Sequence, residues 1–348
     1  KKLAYEEFSR KAVRSPYLLD LSKNNKSYRH ILRFVGNILM FATFIYMMRS
    51  SFAISPWLGL MVYPFYLFFQ GLLIAGMMIH SHELSHNHIR SKGLNDLLGI
   101  ISGFVSHINF YSFQYAHRLH HRNIGNIDAP ESGAPISLKG QKRIRNKDRF
   151  HRTQVKIFSY SKIAWYLTSW PLYIFYGDYS SWMLPFREKN ELNLKSLWVF
   201  LALFAVNGAL LWFFSTEYLW LYIVPVLIGG NRILAITFMH HAHEDSVFFG
   251  EEHHNFYSTI MATTDRDFGP IVNFFMLNNG FHIPHHLNPH IAYYDLKSAS
   301  THLQSIMPED LKYNFYPKSG FYRECFKGRY QQRLDRDHEW FKIDFIKD

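Results

Sequence analysis

Four stretches of this chain are long and apolar enough to cross a lipid bilayer, and they limit what it can fold into. They run from Ile31 to Met48, from Trp57 to Ile79 with Pro64 inside, from Leu197 to Phe214 with Asn207 as the one strongly polar interruption, and from Tyr218 to Met239, broken by Pro225 and the Gly229-Gly230-Asn231-Arg232 run. A hydrocarbon core of about 30 Å needs about 20 helical residues at about 1.5 Å each. The links between them, Arg49–Pro56 and Ser215–Glu217, are short and force two helical hairpins. A soluble helical core is the rival reading, and the Trp and Tyr residues ringing the hairpins argue against it. The mean hydropathy of −0.14 averages these blocks with basic, histidine-rich ones, so it does not decide the class. Two weaker stretches, Leu97–Val105 and Ile163–Gly177, are short or broken by proline and read as interfacial or re-entrant. The expectation is an all-α integral membrane protein: four transmembrane helices in two hairpins, with a cytoplasmic helical cap.

Orientation follows from the basic residues. Residues 1–33 hold nine Lys or Arg, the Arg49–Pro56 link holds one and Ser215–Glu217 none. The positive-inside rule then puts the N terminus, residues 80–196 and residues 240–348 in the cytoplasm. The organisation expected is a cytoplasmic segment 1–30, a hairpin 31–79, a cap 80–196, a second hairpin 197–239 and a second cap segment with tail, 240–348. Lys1–Lys26 has no apolar h-region, so no cleavable signal peptide is expected. The net charge of +11 is explained first by this inside bias, then by attraction to anionic lipid heads or to an acidic partner protein. Nucleic acid is not expected, because the charge is spread along the chain without a nucleic-acid motif. The lone cysteine, Cys325, excludes a disulfide scaffold, a four-cysteine iron–sulfur cluster and a Cys-rich zinc site.

Fourteen of the 21 histidines fall in four short windows, His80–His88, His117–His121, His240–His243 and His282–His290. Clustering of this strength has a chemical cause, and the spacing supplies it. His82-Glu83-Leu84-Ser85-His86 is an HxxxH pair, and positions i and i+4 of a helix share a face, with Cβ atoms about 5–6 Å apart. His117-Arg118-Leu119-His120-His121 is HxxHH, again on one face. His282-Ile283-Pro284-His285-His286 repeats it, with Pro284 tolerated only in a first helical turn. One HxxxH pair is weak; three boxes together are strong. His30, His107, His151, His302 and His338 are isolated and read as surface or interfacial residues. His80, His88, His253, His254 and His290 lie near the boxes but off their spacing.

Imidazole suits zinc, copper, iron and nickel, so ligand type leaves the metal open. Ligand number is more telling. One zinc takes three or four protein ligands, whereas eight box histidines plus one from the fourth window serve two metals with four or five each. Zinc has no redox chemistry, and two irons can reduce O2. The first box also satisfies HExxH, the pattern of a zinc protease with Glu83 as general base; that alternative, an intramembrane zinc protease, leaves both HxxHH boxes idle. A non-catalytic metal store or sensor is the third reading.

With the first box at the end of the second span, the three boxes resemble those of the membrane fatty acid desaturase family, whose superfamily includes hydroxylases, acetylenases and carotenoid-oxidising enzymes. Tyr115–Gly125 is similar to the second box and its flank in acyl-lipid desaturases of the Δ12 type. Thr237–His243 is similar to the element closing their fourth span, Ala262–Gly269 to the run leading to their third box, and His282–Leu287 with Tyr294 to that box and its exit. The likeness covers roughly Ile31 to Leu303. Met276-Leu277-Asn278-Asn279-Gly280-Phe281 departs from the plant pattern, where a histidine–asparagine pair stands, and is similar to other branches.

The resemblance implies a di-iron site held by His82, His86, His117, His120, His121, His241, His282, His285 and His286. His240 stands where the family has a glutamine, so His240 and His243 are alternatives to His241. Asp265, Arg266, Asp267 and Asn279 are implied neighbours of the ligands, although an Asp-Arg-Asp run also reads as a local ion pair at a helix start. The implied activity is O2-dependent introduction of a double bond into a long acyl chain, carried as a lipid or an acyl thioester. The implied location is the bacterial inner membrane or the endoplasmic reticulum membrane, with the site facing the cytoplasm. No Rossmann fingerprint, Cys cluster or His-Pro-Gly-Gly haem signature is found, so the electrons are expected from a separate acidic protein, a ferredoxin or cytochrome b5. Arg232, inside the fourth span, reads as paired within the bundle, or as a contact for a substrate head group.

Overall fold

The computed structural model describes residues 2–126, 129, 164, 191–241, 246–316, 332–336 and 339–343. The chain divides into two compact units, one of residues 1–25, 116–166 and 234–348, the other of residues 26–115 and 167–233.

The second of these units carries the long apolar helices. Ser27–Ile54 is followed at once by Pro56–Ser85. Ser55 is extended (φ −161°, ψ 134°) and Pro56 occupies the first helical turn, where its missing N–H costs nothing. The two helices pack along each other, with Met48 and Tyr66 buried between them. Among the described residues three helical runs are long and apolar enough to cross a membrane: these two and Leu194–His241. The third is broken at Ser215 (φ 33°, ψ −104°), inside the expected Ser215–Glu217 link, and continues through a π-helical turn, Leu219–Ile223. Large apolar side chains point outward along these helices, with Trp212 83% and Trp57 77% exposed, as a lipid-facing surface requires.

Leu97–Val105, the first expected interfacial stretch, lies within a helix, Lys92–Ser106, that ends at His107 in the left-handed region. Ile108 N–H then donates to Gly103 O. A Cβ at Gly103 would sit 2.5 Å from the Ile108 carbonyl oxygen, so this cap requires glycine. Ile163–Gly177 lies outside the described residues except for Ala164. Arg232 is buried, donates from Nη1 to Phe68 O at 2.7 Å and lies 5.0 Å over the Phe68 ring, so it is tied within its own unit.

The other unit is built around the third box. Its core joins Tyr5, Phe8, Ala12 and Leu18, from helices Lys2–Val13 and Pro16–Lys23, to Ile283, Leu287, Leu296, Ala299 and Leu303. Short strands accompany the helices, a departure from the all-α expectation. Val247–Phe249 pairs parallel with Gln332–Arg336, which pairs antiparallel with Glu339–Ile343; Asp265–Arg266 pairs parallel with Phe315–Tyr316. Segments of two to five residues are too short for an alternating pattern to show in sequence.

Candidate metal centre

Helix Phe110–Asn123 carries the second box in its last turns. Helix Val224–His241 ends on His241. The third box is a six-residue helix, His282–Leu287, with Pro284 in its first turn, as its sequence demands. That short helix is set up by the turn before it. Leu277 and Asn278 both take positive φ, and Gly280 lies so close to the Arg266 carbonyl that any side chain would collide with it.

These elements bring seven predicted histidines together in one unit. His121 Nε2 lies 3.0 Å from Nε2 of both His117 and His285. A second set follows His120, His241, His282 and His286: consecutive Nε2 atoms are 3.2, 3.1 and 3.1 Å apart, and all four lie within 4.8 Å of one another. The sets are neighbours, with the rings of His121 and His286 centred 4.5 Å apart.

Hydrogen bonding alone does not account for this. A ring nitrogen offers one in-plane proton or lone pair, yet Nε2 of His121, His241 and His282 each faces two others. One cation per set satisfies them all. Ligands at about 2.1 Å from an ion stand roughly 3.0 Å apart at right angles and about 3.4 Å apart in a tetrahedron. The observed separations of 3.0–3.2 Å fall within this range.

The surroundings prepare the rings as neutral donors. His241 Nδ1 lies 3.2 Å from Ala262 O; a carbonyl only accepts, so Nδ1 carries the proton and Nε2 is the free donor. Burial, reinforced by the neighbouring His121, His282, His241 and His120, holds the His286 imidazole well below the ordinary histidine range. A neutral ring is the form that binds metal.

The first box stands in the other unit. His82 lies in the last turn of Pro56–Ser85 and His86 caps it. Both are buried, with rings 5.4 Å apart and nearly perpendicular. Glu83 is buried with His30 and His88, and its Oε1 is 3.6 Å from His82 Nδ1.

The remaining candidates take different places. His240 stacks on His282, with centroids 4.2 Å apart. His243 lies outside the described residues. Asp265 accepts from Ile283 N–H at 2.5 Å and from the Ser300 hydroxyl, so it caps the box-three helix from another strand. Burial pushes its carboxyl up to about 7, against the pull of Ser300 and of the Ile283 and His282 N–H groups. Asp267 instead accepts from Gly269 N–H and Asn273 Nδ2 at 2.9 and 2.6 Å, at the start of helix Pro270–Phe275. Arg266 is fully buried, and its N–H donates to Gly280 O. Asn279 is buried just before the box.

Spacing gave no sign of Thr264 or His254. Thr264 N–H and Oγ1 donate to His240 O and Met239 O, both at 2.9 Å, pinning the end of the His241 helix. His254 Nε2 holds Ile124 O at 2.8 Å, fixing the exit of box two.

The family model for fatty acid desaturases matches residues 55–317, well over half of the chain. The chain belongs to the fatty acid desaturase family. It is an oxidoreductase of lipid metabolism. An sn-1 acyl-lipid omega-3 desaturase (ferredoxin) of Synechocystis sp. is 26% identical over 73% of this chain and 71% of its own. An oleoyl-12-hydroxylase of Ricinus communis is 25% identical over 79% and 73%. A Delta(12)-fatty-acid desaturase of Arabidopsis thaliana is 22% identical over 84% and 79%.

Proposed function

We propose that this desaturase holds two irons with nine histidines and uses them to introduce a double bond into a long acyl chain. The observation that carries the reading is the pair of converging imidazole sets. His120, His241, His282 and His286 would hold one ion. His117, His121 and His285 would hold the other, with His82 and His86 of the first box completing it. That gives four and five ligands, the number expected from the boxes.

When bound, the iron pair supplies O2 reduction strong enough to remove two hydrogens from adjacent unactivated methylenes, with two electrons from a donor and two protons giving two waters. The residues do the positioning. Asp265 and Ser300 fix the box-three helix, Ala262 O sets the His241 tautomer, and His241, His282, His285 and His286 are buried while His120 and His121 are half-buried. A separate acidic electron carrier, a ferredoxin or cytochrome b5, would dock on the basic surface.

In this arrangement the chain would cross the membrane four times, in two hairpins. The N-terminal helices and the second and third boxes belong to one unit, and the N-terminal helices share a core with box three. Segments on one side of a membrane are joined by an even number of crossings. The break at Ser215 in the third apolar run supports reading that run as two spans. The nine basic residues of 1–33 favour a cytoplasmic side for the boxes.

The hydroxylase alternative keeps a specific support, the Ricinus relative. Expression in a host with simple lipids, followed by mass spectrometry of total fatty acids and carotenoids, separates the outcomes. New double bonds that vanish with His120→Ala support desaturation. Hydroxylated chains or oxidised carotenoids would reassign the product, and an unchanged lipid profile would count against the proposal.

A further inference from the structure

Among the described residues, one buried cluster of metal-ligating side chains belongs to neither imidazole set. His30, Glu83 and His88 are 0%, 1% and 2% exposed, and one donor atom from each lies within 4.8 Å of the other two. The His30 and His88 rings stack at 5.0 Å. His88 Nε2 is 3.8 Å from Glu83 Oε2. That is too long for a direct hydrogen bond and within the span of two ligands on one ion at about 2.0–2.2 Å each.

The cluster is built rather than accidental. His88 sits in a tight turn that Asn87 enters with φ 60°. Asn95 clamps that turn, its Oδ1 accepting from Ile89 N–H at 3.2 Å and its Nδ2 donating to Leu84 O at 2.8 Å. Ser27 ties the same turn to the start of the His30 helix, donating to His88 O and accepting from Arg90 N–H. His80 Nε2 lies 3.1 Å from His30 O and its Nδ1 3.1 Å from Ser102 Oγ. With both nitrogens so engaged, His80 is a brace for the cluster and not a ligand.

We propose that His30, Glu83 and His88 form a third metal site, for a divalent first-row transition ion of which zinc is the probe. A buried carboxylate needs a cation close by. One dication would serve all three groups at once. Two imidazoles and a carboxylate are a zinc donor set. The ion would clip helix Ser27–Ile54 to the end of helix Pro56–Ser85. It would also fix Glu83, whose other oxygen is 3.6 Å from Nδ1 of His82, and so orient a box-one ring from behind. The site stands on its own residues and does not need the di-iron reading.

The test is zinc and iron per chain in the full-length protein, purified in detergent and dialysed against trace zinc. One zinc equivalent in the wild type is expected, lost in His30→Gln and in His88→Gln with the iron content kept. His286→Ala should do the reverse, losing iron and keeping zinc. No zinc in the wild type, or zinc unchanged in both glutamine variants, overturns the proposal. If a glutamine variant does not fold, zinc-edge X-ray absorption of the wild type decides. A shell of two imidazoles and a carboxylate oxygen supports the site, and an all-imidazole shell overturns it.

Discussion

The Nε2 atoms of His121 and His285 face each other at 3.0 Å, although 164 positions separate them in the chain. One lies on the box-two helix and the other on the box-three helix, so neither ring can leave without opening a whole set. His285→Ala should therefore remove iron as well as activity. Lipid oxidation is expected to fall by at least about 100-fold, the upper end for losing even a supporting partner of a metal ligand. Fatty acid analysis and iron content of the same preparation check it, and iron retained at the wild-type level would contradict the shared-ligand geometry.

Asp265 holds box three from outside the metal sets. Asp265→Ala leaves the Ile283 N–H without its acceptor and should cost on the order of 1–3 kcal/mol of stability. Metal affinity should fall by about 10–100-fold. Asp265→Asn keeps an acceptor oxygen and should restore most of the affinity. Iron titration of the two variants distinguishes them, and equal losses would show that the cap is not what Asp265 provides.

The boxes could be read in the sequence because ligand spacing is local: i, i+3 and i+4 put three rings on one helical face whatever the rest of the chain does. That His120 joins His241 while His117 joins His285 could not be read, since it depends on how separate helices cross. Asp265 illustrates the same limit. Its partners, Ile283 and Ser300, are 18 and 35 residues away, so its neighbours in sequence pointed as readily to a local ion pair. The hydropathy of the spans was plain in sequence. The N-terminal helices were not, because their few apolar residues gain meaning only against the box-three core.

Tyr5 makes that dependence testable. It is fully buried among the box-three core residues, and its hydroxyl donates to Leu311 O. Tyr5→Ala should cost about 3–5 kcal/mol, as large aromatic deletions in cores do. Thermal unfolding in detergent measures it; a Tm within a degree of the wild type would contradict the packing.

His107 predicts an acid sensitivity. Burial, partly offset by Asn207, lowers its pKa to about 4, below the value of about 6.5 in an unfolded chain. A depressed histidine costs nothing above pH 6.5, and its cost grows as pH falls toward 4, to on the order of 1–3 kcal/mol for this half-buried ring. His107→Asn, which suits the left-handed backbone there, should flatten the fall of Tm between pH 6.5 and 4. Parallel curves for the two proteins would exclude His107 as the sensor.

The most direct test of the paired centre is Mössbauer spectroscopy of the purified chain grown on isotopically enriched iron. Two coupled iron sites in equal amount, both lost in His121→Ala, are expected from imidazole sets that share a wall. A single mononuclear iron signal, or one that survives His121→Ala, would contradict it.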